Sequence, residues 1–168
     1  MRRRGYLRVV AAGVLVALLP SPSGANAPSR AAPATVTHVS DGDTAYLRPL
    51  LYGTTAASWP GRKARFIGVD TPEVYTSPKD CFGERASRFT TRKLDGQPVK
   101  VTYGRDTTDQ YGRALVYIWL DGKMFNAMLL RRGFAKVEIY SPNDRYANWF
   151  YRLQAKAKEE HRGLWGAC

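Results

Sequence analysis

Apolar and polar residues alternate from Ala34 to Ser40, a period of two that predicts a first strand. Asp41-Gly42 is a two-residue turn signal, and Thr44 to Leu47 opens a second strand, so Asp43 stands at the turn exit. Pro49 to Arg62 is rich in Gly, Pro, Ser and Thr and reads as a long loop; Lys63 to Val69 is the third strand. Pro72 stops that ladder because it has no N–H to donate, and Glu73 to Asp80 is a loop. Phe82, Ala86 and Phe89 fall at helical spacing and predict a helix from Phe82 to Leu94, ended by Asp95-Gly96. Val99 to Tyr103 is the fourth strand and Arg105 to Gln110 a polar loop. Arg113 to Leu120 is the fifth strand, apolar on both faces and therefore central. Phe125, Met128 and Leu129 mark a short helix closed by Gly133. Phe134 to Tyr140 is extended. Tyr146, Trp149, Phe150, Leu153 and Ala157 form one stripe of a last helix, with Gly163 after it.

Five short strands, with helices inserted after the third and the fifth, predict an α+β fold: a five-stranded Greek-key β-barrel of the oligonucleotide-binding (OB) type with three α-helices. Barrels of this type host nucleic-acid sites. That is an analogy between folds and establishes no function.

The first residues are not part of this pattern. Arg2, Arg3, Arg4 and Arg8 precede an apolar run from Val9 to Leu19, and small residues follow at Ser23, Gly24, Ala25 and Ala27. A basic region, a short apolar core and a small-residue cleavage zone read as a signal peptide over residues 1–27. Cleavage fits after Ala25 or Ala27. Ordinary Sec export is favoured, although Arg3-Arg4-Gly5-Tyr6-Leu7-Arg8 loosely resembles a twin-arginine signal; an uncleaved anchor is the alternative. Residues 28–34 then form a flexible linker and 35–168 one folded domain. The chain is 168 residues with a formal charge of +12, and loss of the four leader arginines leaves it clearly basic. Such a balance attracts polyanions, whether nucleic acid, an anionic membrane or an acidic polysaccharide. The two cysteines, Cys81 and Cys168, are an even count in an exported chain, which favours a disulfide that pins the C-terminus. Two isolated Cys and distant histidines lack any zinc spacing.

The candidate chemistry lies in Arg65-Phe66-Ile67-Gly68-Val69-Asp70-Thr71-Pro72-Glu73, which begins as a strand and ends as a charged turn. Asp43, Asp70, Glu73 and Arg113 all stand beside turns at strand ends, and Arg65 opens the third strand. Taken singly, each is more simply a solvated surface charge. Together they are coherent with phosphodiester hydrolysis. A hard cation on Asp43, Asp70 and the Thr71 carbonyl would act on a phosphate oxygen as a Lewis acid. Glu73 would accept a proton from the attacking water or orient it. Arg65 and Arg113 would fork onto the equatorial oxygens. One difficulty is geometric: Arg65 and Asp70 are five apart, so a regular strand aims them at opposite faces, and a bend near Gly68 is required.

These stretches resemble the staphylococcal-nuclease (thermonuclease) family. The resemblance rests on Asp41-Gly42-Asp43-Thr44, Arg65 through Glu73, Asp109-Gln110-Tyr111-Gly112-Arg113, Asp121-Gly122-Lys123-Met124 through Asn126, Phe134-Ala135-Lys136-Val137 and Gly163-Leu164-Trp165. It spans about residues 35 to 166. It implies a secreted, Ca²⁺-dependent endonuclease domain that cleaves DNA and RNA, single strands preferred, and leaves 3′-phosphate ends. It implies Asp43, Asp70 and Thr71 as metal ligands, Arg65, Glu73 and Arg113 as catalytic residues, and Tyr111 and Tyr140 as nucleotide contacts. It implies a monomer with no stable protein partner, and no membrane association once the leader is removed. Three departures stand out: a longer Pro49–Arg62 loop, Gln110 in place of a lysine before the substrate tyrosine, and a shorter segment after Glu73 that carries Cys81. The competing readings are a non-catalytic nucleic-acid-binding barrel, a metal-independent nuclease using His38 and His161, and an envelope-binding module that uses the basic surface.

Overall fold

A computed structural model describes residues 27–28, 30–49, 62–78 and 80–168. Nearly all of the expected leader, and nearly all of the Pro49–Arg62 loop, lie outside the described residues. The elements run β1 (Ala32–Val39), β2 (Thr44–Pro49), β3 (Arg62–Phe66), β4 (Gly68–Asp70), α1 (Gly83–Leu94), β5 (Pro98–Thr108), β6 (Ala114–Leu120), β7 (Lys123–Met124), α2 (Phe125–Arg131), β8 (Lys136–Glu138), α3 (Ala147–Glu159) and a last single turn α4 (Leu164–Ala167).

The strand order is β3-β2-β1-β5-β6-β7, and a parallel pairing of β3 with β6 closes β1, β2, β3, β5 and β6 into a barrel. Its interior is filled by alternate residues of each strand, among them Val36, Phe66, Val116 and Ile118, all essentially without exposure. Phe125 and Leu129 of α2 and Phe150 of α3 extend this core, with Phe89 of α1 stacked on Phe134 at 4.3 Å. Each such large side chain contributes about 1.5–3 kcal/mol on burial. Fold class and the three main helices are as expected; β6 is mostly buried, as its apolar run implies, but in the closed barrel it lies between β5 and β3 and no strand is central.

Three boundaries differ from the sequence reading. β1 starts at Ala32, inside the expected linker, because Ala32 and Pro33 pair with Val101 and Lys100 of β5. β5 runs on to Thr108 through the expected polar loop. Tyr103 pairs with Val116 and Thr108 with Ala114, so several extra residues of β5 bulge out between these pairs. The bulge interrupts the ladder and leaves Arg105, Asp106 and Thr107 exposed, which suits their polar side chains, while Asn143 bonds the freed Asp106 backbone. The third strand ends at Phe66, and the chain turns at Ile67 and Gly68 into the separate short strand β4, which pairs with β8.

That turn positions the site. Gly68 has φ +78°, a conformation that disfavours any side chain, and a Cβ there would meet the Phe150 ring at 2.6 Å. Asn126, fully buried on α2, donates to the Ile67 carbonyl at 2.9 Å and accepts from the Ile118 N–H at 2.9 Å. The bend that the Arg65–Asp70 spacing demands is thus present and pinned from α2.

Candidate active site

The Asp41-Gly42-Asp43 turn is fixed before any ligand is considered. Asp41 accepts from the Asp43 N–H at 3.1 Å, and Thr90 of α1 donates to the Gly42 carbonyl at 2.7 Å. A Cβ on Gly42 would meet Thr71 Oγ1 at 2.5 Å, so the turn lies directly on Thr71. Asp43 is buried; one of its oxygens accepts from Thr71 N–H at 2.7 Å and from Thr71 Oγ1 at 3.0 Å, and the other from Thr44 Oγ1 at 3.1 Å. The Asp43 carbonyl accepts from Phe66 N–H at 2.9 Å, which ties the turn to β3.

Arg65 is the hub. Its guanidinium pairs with Asp43 through Nη1, and through Nη2 with Asp70 at 2.9 Å and Glu138 at 3.1 Å. The Arg65 side chain is only 13% exposed, against 41% for Asp70 and 38% for Glu138. Burial alone would lower the Arg65 pKa; the facing carboxylates of Asp43, Asp70 and Glu138 reverse this and raise it. Asp70 is raised above the ordinary carboxylate value by burial, only partly offset by Arg65. Asp41 is pushed up to about 6, by burial first and by the Asp43 charge second. Carboxylates crowded on one cation hold negative charge at some electrostatic cost, as sites for cations and phosphates do.

A cleft of about 560 Å³ opens beside this cluster. Asp43, Arg65, Glu73, Tyr111, Arg113, Glu138 and Tyr140 all line it, as does Gln110. Arg113 is aimed by its own turn: its Nε donates to Asp109 at 2.6 Å and its backbone N–H to the other Asp109 oxygen at 2.9 Å. Burial alone would raise the Asp109 carboxyl, but the hydrogen bonds from Arg113 outweigh it and lower it. The Arg113 guanidinium lies over the Tyr111 ring at 5.5 Å. Tyr111 and Tyr140 are 75% and 70% exposed, flat apolar faces left in solvent at the cleft. Neither His38 nor His161 lines it.

The sequence-predicted residues therefore converge. Asp43 and Asp70 meet on Arg65 and Thr71 is bonded to Asp43, while Glu73, Arg113, Tyr111 and Tyr140 border the cleft with Arg65. Two residues went unpredicted. Glu138 joins the carboxylates around Arg65 and accepts from the Tyr140 hydroxyl at 2.9 Å, a bond that raises the Tyr140 phenol. It lies two residues before Tyr140 in an extended stretch, so strand alternation placed it on the same face. Asp109, read only as part of a motif, orients Arg113.

As oxygen donors, Asp43 and Asp70 suit a hard cation, and both reach one guanidinium, so their oxygens converge on a small volume. Among the described residues no group of three or more His, Cys, Asp or Glu side chains is arranged to hold a metal ion. The donor set fits a cation that takes the rest of its shell from a backbone carbonyl, water and substrate.

A family model described as staphylococcal nuclease homologue matches residues 63–167. The thermonuclease of Staphylococcus intermedius is 39% identical over 105 residues, covering 61% of this chain and 62% of that protein. The thermonuclease of Staphylococcus hyicus is 39% identical over 103 residues, covering 60% and 61%. Endonuclease YhcR of Bacillus subtilis is 33% identical over 141 residues, covering 77% of this chain and 11% of that protein. The chain thus spans about six tenths of the length of the thermonucleases it matches.

Proposed function

From the premise that the chain belongs to the staphylococcal nuclease homologue family, we propose that it is a secreted, Ca²⁺-dependent endonuclease. It hydrolyses phosphodiester bonds of DNA and RNA, prefers single strands, leaves 3′-phosphate ends and works as a monomer. Residues 1–27 are its signal peptide, and the linker ends before Ala32, where the first strand of the nuclease domain begins. The observation that carries the reading is the cleft itself: Arg65, Glu73 and Arg113 border one cavity, beside carboxylates that converge on Arg65. The positive charge that remains after loss of the four leader arginines adds long-range attraction for a polyanion. Among the described residues no helix is long and apolar enough to cross a membrane.

In this mechanism Asp43, Asp70 and the Thr71 carbonyl hold the calcium ion. The bound ion supplies Lewis-acid polarisation of a phosphate oxygen. Tyr111 and Tyr140 offer ring faces on which unstacked bases lie, which favours single strands. Glu73 takes a proton from the attacking water, or orients it, as the new P–O bond forms in line with the leaving 5′-oxygen. The P–O5′ bond breaks, the 5′-oxygen takes up a proton, and the phosphate stays on the 3′ side. Arg65 and Arg113 donate to the non-bridging oxygens, where charge builds up in the transition state. Arg113 is already aimed by Asp109, so little reorganisation is needed on its side, whereas Arg65 exchanges its contacts with Asp43 and Asp70 for phosphate oxygens once a cation occupies those carboxylates.

The test is cleavage of single-stranded DNA by residues 28–168, with Ca²⁺ and with EGTA, beside Glu73→Gln. The expected result is Ca²⁺-dependent cleavage that EGTA abolishes, with Glu73→Gln lowering kcat by about 10²-fold or more, as for loss of a general base, while KM changes little. Binding without cleavage under every divalent cation would overturn the proposal in favour of a non-catalytic barrel.

A further inference from the structure

Glu73 has an unusual position among the cleft residues. Its carboxylate makes no hydrogen bond or ion pair with any described residue, whereas Arg65 and Arg113 are both held by carboxylates. Its aim is therefore set by its backbone. That backbone is clamped. The Glu73 N–H donates to Asp80 Oδ2 at 3.1 Å, and the Asp80 N–H donates back to the Glu73 carbonyl at 3.2 Å. These two bonds close the base of the loop between them. The first turn of α1 presses on the same point: Gly83 N–H donates to the Asp80 carbonyl at 3.1 Å, and a Cβ on Gly83 would lie 2.5 Å from the Glu73 carbonyl oxygen.

The residue after Asp80 is Cys81, disulfide-bonded to Cys168. The chain terminus is itself anchored. Cys168 N–H donates to the Leu164 carbonyl at 3.0 Å, and Leu164 N–H to the Gly133 carbonyl at 2.8 Å, just past α2. Gly133 and Gly163 pack backbone on backbone, since a Cβ on Gly133 would stand 2.1 Å from the Arg162 carbonyl oxygen. The base of the Glu73 loop is thus covalently fastened to the end of the chain, which is docked on the helical side of the core.

We propose that Asp80 and the Cys81–Cys168 disulfide are positioning elements for Glu73, so that turnover, but not substrate binding, depends on an intact clamp. This rests on the reading of Glu73 as the residue that handles the attacking water. Asp43, Arg65, Asp70, Arg113, Tyr111 and Tyr140 are held by other contacts, so binding survives loss of the clamp. A displacement of about 1 Å at a catalytic group costs on the order of 10²-fold in rate.

The experiment compares the wild-type domain with Cys81→Ser/Cys168→Ser, Asp80→Ala and Asp80→Asn, each checked for folding by circular dichroism and assayed with Ca²⁺ well below its Tm. Steady-state cleavage gives kcat and KM, and amide hydrogen exchange follows residues 73–80. The expected result is a fall in kcat of about tenfold or more for Asp80→Ala and the serine pair, with KM within about twofold. Asp80→Asn, which keeps a side-chain oxygen for the Glu73 N–H, recovers most of the loss. Exchange at 73–80 accelerates while the barrel strands stay protected. Added to Glu73→Gln, the serine pair has almost no further effect on kcat, because the group it positions is gone. An unchanged kcat, a parallel rise in KM, or additive loss in the Glu73→Gln background overturns the clamp and leaves the nuclease reading standing. If the wild type cleaves nothing, the nuclease reading fails; unchanged exchange at 73–80 then overturns the clamp on its own.

Discussion

Replacing Arg113 with lysine keeps the charge and removes the geometry. In the structure the Nε of Arg113 is committed to Asp109 at 2.6 Å, and neither Nη atom has a hydrogen-bond partner among the described residues. The two Nη groups are therefore free to make parallel bonds to two oxygens of one phosphate. Lysine offers one ammonium, loses the second donor and loses the anchor to Asp109. Loss of one donor that acts on the transition state costs about 2.7–4 kcal/mol, or roughly 10²–10³ in kcat. The stability cost is small by comparison. The Arg113–Asp109 pair is part-exposed and four residues apart, so it is worth about 1 kcal/mol or less, a Tm shift of about 2–4 °C. The assay is kcat and KM for Arg113→Lys on a long single-stranded substrate, with a thermal melt of the same sample. The expected pattern is a fall of about 10²–10³ in kcat with Tm lowered by no more than about 4 °C. Asp109→Asn keeps the ring of backbone bonds but weakens the anchor, and falls between the two. A kcat within about tenfold of wild type refutes the claim that the fork, not the charge, matters.

Asn126→Ala removes the partners of the Ile118 N–H and the Ile67 carbonyl, whereas the Val116 carbonyl keeps its bond from Ile67 N–H at 2.9 Å. Two buried orphans cost about 2–6 kcal/mol together, read by urea unfolding, and a loss below about 1 kcal/mol contradicts the role given to the bend. Tyr117 is pushed up to about 12 by burial, so its neutral phenol stabilises the fold fully below its ordinary value and progressively less as pH rises toward 12. Tyr117→Phe should therefore move the alkaline unfolding midpoint upward; an unchanged midpoint refutes this. Glu138→Gln should bring the Tyr140 phenol back down toward its ordinary value, followed by the ultraviolet tyrosinate band, because the hydrogen bond to a carboxylate is what raises it.

Much of this molecule was legible in the order of its residues. The Asp41-Gly42 turn, the apolar run of β6 and the stripe of α3 each carry a local signal strong enough to place an element. The need for a bend between Arg65 and Asp70 was legible too, since two residues five apart on a strand cannot meet. Its cause was not, because the bonds that hold it come from Asn126, 59 residues from Ile67. Residues 105–108 read as loop because they are polar, yet they stay in β5, where Asn143, 37 residues away, bonds both the N–H and the carbonyl of Asp106. Glu138 escaped notice for a similar reason. An acidic residue on a short strand looks like surface until β4 and β8 pair and bring it to Arg65, 73 residues earlier in the chain.

The parallel pairing of β3 with β6 also sets a schedule. Synthesis runs from the N-terminus, and by the time Tyr111 is made the chain already contains Asp43, Arg65, Asp70 and Glu73. It still lacks the strand on which β3 closes, the asparagine that pins the bend, and Glu138. Without them Arg65 and Asp70 point apart, as the spacing of a plain strand dictates. The arrangement around Arg65 therefore comes into being only when the last third of the chain has been made and folded back onto the first.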